Sequence, residues 1–163
     1  MAIGDLMRDV RLTHGGFYRH FDSKEELFVE AFRCSFQDVV RRMSSAAEHA
    51  PRGARLEAII DAYLDLGHCE KPADGCPFAA LGPDLTRRPR RARAALLRVV
   101  GSFVAQLARH VPGATADERR RKARMLFSGM AGTLTVARIM PGRRQRWSFL
   151  NDAKKFYREA MRR

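Results

Sequence analysis

A chain of 163 residues has the length of one domain, or of one domain with a small appendage, and at 45 % hydrophobic residues it can bury an ordinary core. No apolar run approaches the roughly 20 residues of a membrane helix, which excludes a transmembrane protein, and the start Met1-Ala2-Ile3-Gly4-Asp5 lacks the pattern of a secretory signal, so a cytoplasmic address is expected. The 31 Lys and Arg against 18 Asp and Glu give a net charge of +13, which suits a polyanion partner such as nucleic acid; yet residues 1–50 hold 7 basic against 8 acidic side chains, so the excess lies beyond them.

Ala, Leu, Arg and Met are abundant and no segment sustains the alternation of a half-buried strand, so the fold is expected to be all-α. Ile3, Leu6, Met7 and Val10 recur at the spacing of one helical face and predict a first helix of about two turns. After Arg11-Leu12-Thr13 a second short helix is expected from His14 to Phe21, with Thr13 as its N-cap. Ser23 and Glu26 then form a capping box that opens a long helix, whose stripe of Leu27, Phe28, Ala31, Phe32, Val39, Val40 and Met43 carries it to about Ala46. Beyond it the prolines punctuate the chain, because each disfavours helical geometry in the residue before it, and they mark out segments 54–67, 77–87, 90–111, 115–140 and 147–162. Thr115 and Glu118 make a second capping box before a core helix containing Met125, Leu126, Phe127, Met130 and Leu134. Small residues Ser128, Gly129, Gly132, Thr133 and Thr135 lie on or near one side of it and would admit a partner helix, and Phe149, Leu150, Ala153, Phe156, Tyr157 and Ala160 form a stripe on the last segment.

Helix, three-residue turn, helix is the arrangement that presents a second helix to the DNA major groove. Gly15 and Gly16 lack side chains and would let a duplex come close, while Tyr18, Arg19 and His20 can hydrogen-bond phosphate oxygens. Lys24, at the start of the long helix, can hold one more phosphate together with the free amides there. A purely structural reading, in which the glycines permit tight packing and Tyr18 and His20 are ordinary surface residues, competes with this one.

The 17 consecutive residues from Leu12 to Phe28, Leu-Thr-His-Gly-Gly-Phe-Tyr-Arg-His-Phe-Asp-Ser-Lys-Glu-Glu-Leu-Phe, closely resemble the signature of the TetR family of bacterial transcriptional regulators. The resemblance implies an all-helical homodimer with an N-terminal DNA-binding unit, here residues 1–30, and an effector-binding and dimerisation domain, here residues 31–163, whose last two helices pair with those of the mate in a four-helix bundle. It places Thr13, His14, Gly15 and Gly16 near the bases of a double-stranded DNA operator, and Tyr18, His20 and Lys24 on its phosphates. Arg11 stands where the family's turn normally has Gly, because a left-handed backbone suits Gly. The family also has a whole helix ahead of the one spanning Ile3 to Val10, where this chain has Met1-Ala2, so the first helix of the DNA-binding unit is expected to be lacking.

Tyr63, Phe78, Phe103, Phe127, Met130 and Trp147, aromatic and Met residues at helical spacing, are more often core than ligand box, but the resemblance also implies an apolar or aromatic effector pocket, for which they are candidate walls. The runs Arg87-Arg88, Arg90-Arg91-Arg93 and Arg119-Arg120-Arg121-Lys122 read as solvated helix ends, with attraction of an anionic effector or non-specific DNA affinity as the alternatives. In Asp74-Gly75-Cys76-Pro77-Phe78, Pro77 suits the first helical position and puts Cys76 at the N-cap, where free amides and the helix dipole favour a thiolate, with Cys69 as a resolving partner; a buried, inert cysteine is the competing reading and the favoured one. The function expected is therefore a ligand-responsive DNA-binding regulator, a repressor released from its operator by a small-molecule effector. Two alternatives are a repressor switched through Cys76 by oxidants or electrophiles, and a truncated helical dimer that no longer binds DNA. No catalytic residues, cofactor, metal or membrane partner are expected, although His68 lies beside Cys69.

Overall fold

A computed structural model describes residues 3–9, 11 and 13–162, and among them it contains helices, turns and no strand. The helices are α1 (Ile3–Asp9), α2 (His14–Phe17), α3 (Lys24–His49), α4 (Arg55–Tyr63), α5 (Leu66–Glu70), α6 (Pro77–Thr86), α7 (Arg90–Leu107), α8 (Ala116–Ile139) and α9 (Arg143–Arg162), with short 3₁₀ turns at Arg52–Ala54 and Pro72–Asp74. No described helix is long and apolar enough to cross a membrane. Val10 and Leu12, which the sequence reading used, lie outside the described residues.

Local chemistry accounts for most boundaries. Ser23 Oγ accepts from the amide of Glu26 and Thr115 Oγ1 from that of Glu118, as a capping box requires. The two glutamates reach one residue further back than expected: Glu26 accepts from the Asp22 amide at 2.7 Å and Glu118 from the Ala114 amide at 2.8 Å. Segment 54–67, expected as one helix, is two. Asp65 ends it, because its Oδ1 accepts from the amides of Gly67 and His68 and so caps a new helix, a role that suits a short acidic side chain better than a helix interior. Segment 90–111 is helical only to Leu107, and the last helix begins at Arg143 rather than 147.

Pro83 sits inside α6, where it has no amide to offer the carbonyl of Ala79. Thr135 of α8 fills the gap by donating its hydroxyl to Ala79 O at 3.0 Å, an oxygen it shares its proton with alongside Ala131 O. A proline that would weaken an isolated helix thus becomes a tie between two helices.

The core is an aromatic cluster around Phe127 of α8. Its ring meets those of Phe36 (5.9 Å between centroids), Tyr63 (6.2 Å), Phe78 (5.6 Å) and Phe103 (5.4 Å), so one side chain joins α3, α4, α6 and α7. Phe36, absent from the stripe read on the long helix, is buried at its centre, whereas Ala31 of that stripe is exposed. Edge-to-face and tilted rings at these separations add to ordinary apolar burial. The small residues of α8 are divided in use: a Cβ on Gly129 would lie 2.7 Å from the Tyr157 hydroxyl of α9, and Thr133 hydrogen-bonds that hydroxyl at 2.9 Å, while Gly132 faces open space.

Candidate functional site

The N-terminal elements form a helix, a turn and a second helix. Arg11 takes the left-handed conformation, φ +57°, where the sequence pattern expects Gly. Thr13 caps α2 as predicted: its Oγ1 accepts from the amide of Gly16 at 3.2 Å. Regular α-helix ends at Phe17, short of the expected Phe21, but the amides of His20 and Phe21 still donate to Phe17 O, so the segment stays coiled. Phe17 is buried against Tyr18 and Phe21, at ring separations of 5.2 and 5.7 Å, and Met7 of α1 is buried beside it.

That anchoring leaves Tyr18, Arg19, His20 and Lys24 exposed on the outer side. A Cβ on Gly15 would meet nothing within 4 Å, and one on Gly16 only Thr13 Oγ1 at 3.4 Å and Met7 Cε at 3.9 Å. Internal packing therefore does not require glycine at position 15. α3 starts at Lys24 and runs unbroken through residues 30 and 31 into the centre of the molecule.

Residues 53–144 match the family model described as the tetracyclin repressor-like C-terminal domain, more than half of the chain, from the turn before α4 to the start of α9. The chain belongs to the TetR family. A search of curated proteins finds no match.

In this TetR-family chain the six aromatic and methionine positions read as effector-pocket walls do not come together as one cavity. Tyr63, Phe103, Phe127 and Met130 are buried and Phe78 nearly so, ring against ring in the core, and Trp147 stands apart on α9 with 59 % of its surface exposed. Open space lies on either side of the cluster. One cavity of about 450 Å³ opens between α3, α4 and α7 and includes Phe103. A smaller one of about 210 Å³ lies between α6 and α7, walled by Phe78, Leu85, Leu96 and Val100. Trp147 lines a third, on the surface of α9 with Asp61 and Arg158.

Cys76 is the N-cap of α6, as Pro77 implied, and it is the buried cysteine of the favoured reading rather than an activated thiolate. The residue is fully buried, and burial pushes its thiol pKa up, outweighing the pull of the Tyr63 hydroxyl and of the Ala79 and Phe78 amides. Cys69 is buried too, and its thiol is likewise pushed up by burial. Free amides at a helix start favour a thiolate only where water or a counter-charge can reach it.

His68 is the residue the sequence left unassigned. It is buried and holds two distant backbone groups at once: Nδ1 donates to Tyr63 O at 2.6 Å and Nε2 accepts from the Cys76 amide at 2.8 Å. Burial lowers its pKa to about 4, and the acceptor role of Nε2 fits the neutral ring. The ring thus joins α4, α5 and α6, which is a structural duty rather than that of a base beside Cys69.

Arg88 also departs from the reading of its run as a solvated helix end. Its guanidinium donates to Glu25 Oε1 at 3.0 Å and lies 3.8 Å from the Phe28 ring centroid. Both partners are in the first turns of α3, next to exposed Lys24, so the chain just after α6 is fastened to the start of the long helix.

Proposed function

We propose that this protein is a ligand-responsive, DNA-binding transcriptional regulator acting as a homodimer, a repressor released from its operator when a small molecule binds residues 31–163. The observation that carries the reading is the helix-turn-helix whose Gly15 no internal contact requires, set beside exposed Tyr18, His20 and Lys24 and joined by one continuous helix to the family's C-terminal domain. Thr13, His14, Gly15 and Gly16 approach bases, and Tyr18, His20 and Lys24 hold phosphates. Residues 1–30 form the DNA-binding unit, with α3 as the shaft shared by both parts.

Dimerisation through α8 and α9 is supported by the apolar surface they present. Met125, Val136 and Ile139, which share one face of α8, and Phe156 of α9 are large hydrophobic side chains left exposed among the described residues, and Leu150 is the one buried residue among the described residues of α9. Two recognition helices held by such a dimer reach successive major grooves only at one spacing. An effector that favours another spacing lowers DNA affinity, and DNA lowers effector affinity by the same factor.

The test is fluorescence anisotropy on DNA flanking the protein's own gene, against a scrambled duplex, across a salt series. Specific binding that weakens as salt rises, and is lost in Gly15→Leu and Tyr18→Ala while those variants keep their helicity, is the expected result. Equal affinity for both duplexes, or full binding by both variants, would overturn the reading.

A further inference from the structure

The cavity of about 450 Å³ between α3, α4 and α7 is lined by two unlike kinds of side chain. Buried apolar side chains in its lining are Met43, Ile59, Phe103 and Leu107. Its lining also carries Arg55, Arg109 and His110, against a single acid, Glu48. Arginines elsewhere that reach between helices are held by oxygens of the protein: Arg88 meets Glu25, Arg158 meets Asp61, Arg162 meets Glu57, and Arg138 donates to the carbonyls of His68 and Cys69. Among the described residues neither Arg55 nor Arg109 has a carboxylate within ion-pair distance, and Arg55 Nε is shut off from solvent with no hydrogen-bond partner. Two guanidiniums left without a carboxylate beside apolar surface favour a ligand that brings one. The two guanidiniums also bear on the same imidazole, since both hold the His110 pKa down after burial has done so.

We propose that this cavity is a binding site for an amphipathic monocarboxylate, an aliphatic or aryl acid whose carboxylate sits between Arg55 and Arg109 and whose apolar body lies on Met43, Ile59, Phe103 and Leu107. The volume is that of a small-molecule pocket, and the Arg55 and Arg109 guanidiniums that line it can give a carboxylate charge-assisted hydrogen bonds. Glu48 disfavours a second negative charge, which limits the ligand to one carboxylate. The site touches the last turns of α3, from Met43 to Glu48, while the first turn of that helix, at Lys24, abuts the DNA-facing segment roughly 36 Å away at 1.5 Å per residue. A ligand that shifts one end of a stiff helix shifts the other. As the effector site of the regulator, it rests on the function proposed above.

The experiment is titration calorimetry on the full chain at pH 7.5 with 4-phenylbutyrate and octanoate, and with the neutral 4-phenylbutyramide. The acids bind, the amide binds at least 10-fold more weakly, and Arg55→Gln and Arg109→Gln each weaken the acids by about 10- to 100-fold, the range of one charge-assisted hydrogen bond. Arg143→Gln, on the outer surface, leaves them unchanged. Arg109 is exposed, so its variant folds even where Arg55→Gln does not, and circular dichroism verifies this. Equal binding of acid and amide, acid binding indifferent to Arg109→Gln, or no acid binding at millimolar concentration overturns the site. Operator affinity measured with the same acids separates the two readings: acid binding that leaves a specific operator complex intact keeps the site and removes its role as effector site, whereas release by the neutral amide alone keeps the regulator and removes the site.

Discussion

Replacing His68 by Ala tests how the helical core is held together. The ring bridges Tyr63 O, at 2.6 Å, and the Cys76 amide, at 2.8 Å, and the residue is buried. Its loss strands a buried acceptor and a buried donor, each worth about 1–3 kcal/mol, and leaves a void beside the Tyr63 ring, whose centroid stands 5.1 Å away. The expected cost is about 3–5 kcal/mol, read as a fall in the urea midpoint at pH 7.5 with the slope unchanged. The pH dependence supplies an independent check. The folded ring titrates at about 4, mainly because of burial, against an ordinary 6.5. Above 6.5 neither the folded nor the unfolded chain binds the proton and the contribution to stability is full. As pH falls below 6.5 the unfolded chain takes up a proton that the folded ring refuses, and stability drains away until about pH 4, for a total of about 3 kcal/mol. His110, also lowered by burial, adds a loss of the same sign, so the variant is compared with the wild type at each pH. A cost below about 1 kcal/mol at pH 7.5, or an unaltered pH dependence in His68→Ala, would refute the bridging role.

Gly129→Val should cost about 1–3 kcal/mol in the thermal midpoint, because the new side chain must displace the Tyr157 hydroxyl from Thr133, and Tyr157→Phe in the same chain should recover part of that loss. At position 11, with φ at +57°, Arg11→Gly should be more stable than Arg11→Ala by about 1 kcal/mol, and equal midpoints would argue against a left-handed turn. Arg88→Ala should lower stability by about 1 kcal/mol, since its ion pair with Glu25 is only partly buried and the Phe28 contact adds a modest amount. Its larger effect falls on the operator assay, where unfastening α6 from the base of α3 should weaken the response to effector more than it weakens DNA binding itself.

Features set by residues three or four apart were legible in the chain. Thr13, Ser23 and Thr115 cap the helices they were read to cap, and Pro77 puts Cys76 at an N-cap, because such hydrogen bonds close within one turn and depend on little else. The left-handed turn at Arg11 was implied by the family pattern, which has Gly there, and not by local spacing. Whether a residue at a well-read position meets water, however, is decided by elements far away in the chain. Cys76 occupies its predicted N-cap without becoming a thiolate, since the surrounding helices strip away the solvent that a thiolate requires. The aromatic residues read as pocket walls are the right types at the right spacing, yet they fill one another's space around Phe127, and the open volume appears where Arg55, Arg109 and His110 converge from α4 and from the end of α7. Arg88 and Glu25 are 63 positions apart, and Thr135 and Ala79 are 56 apart. Periodicity encodes which face of a helix is apolar, but the helix that covers that face, and the charges left without a partner beside it, follow only from packing the whole chain.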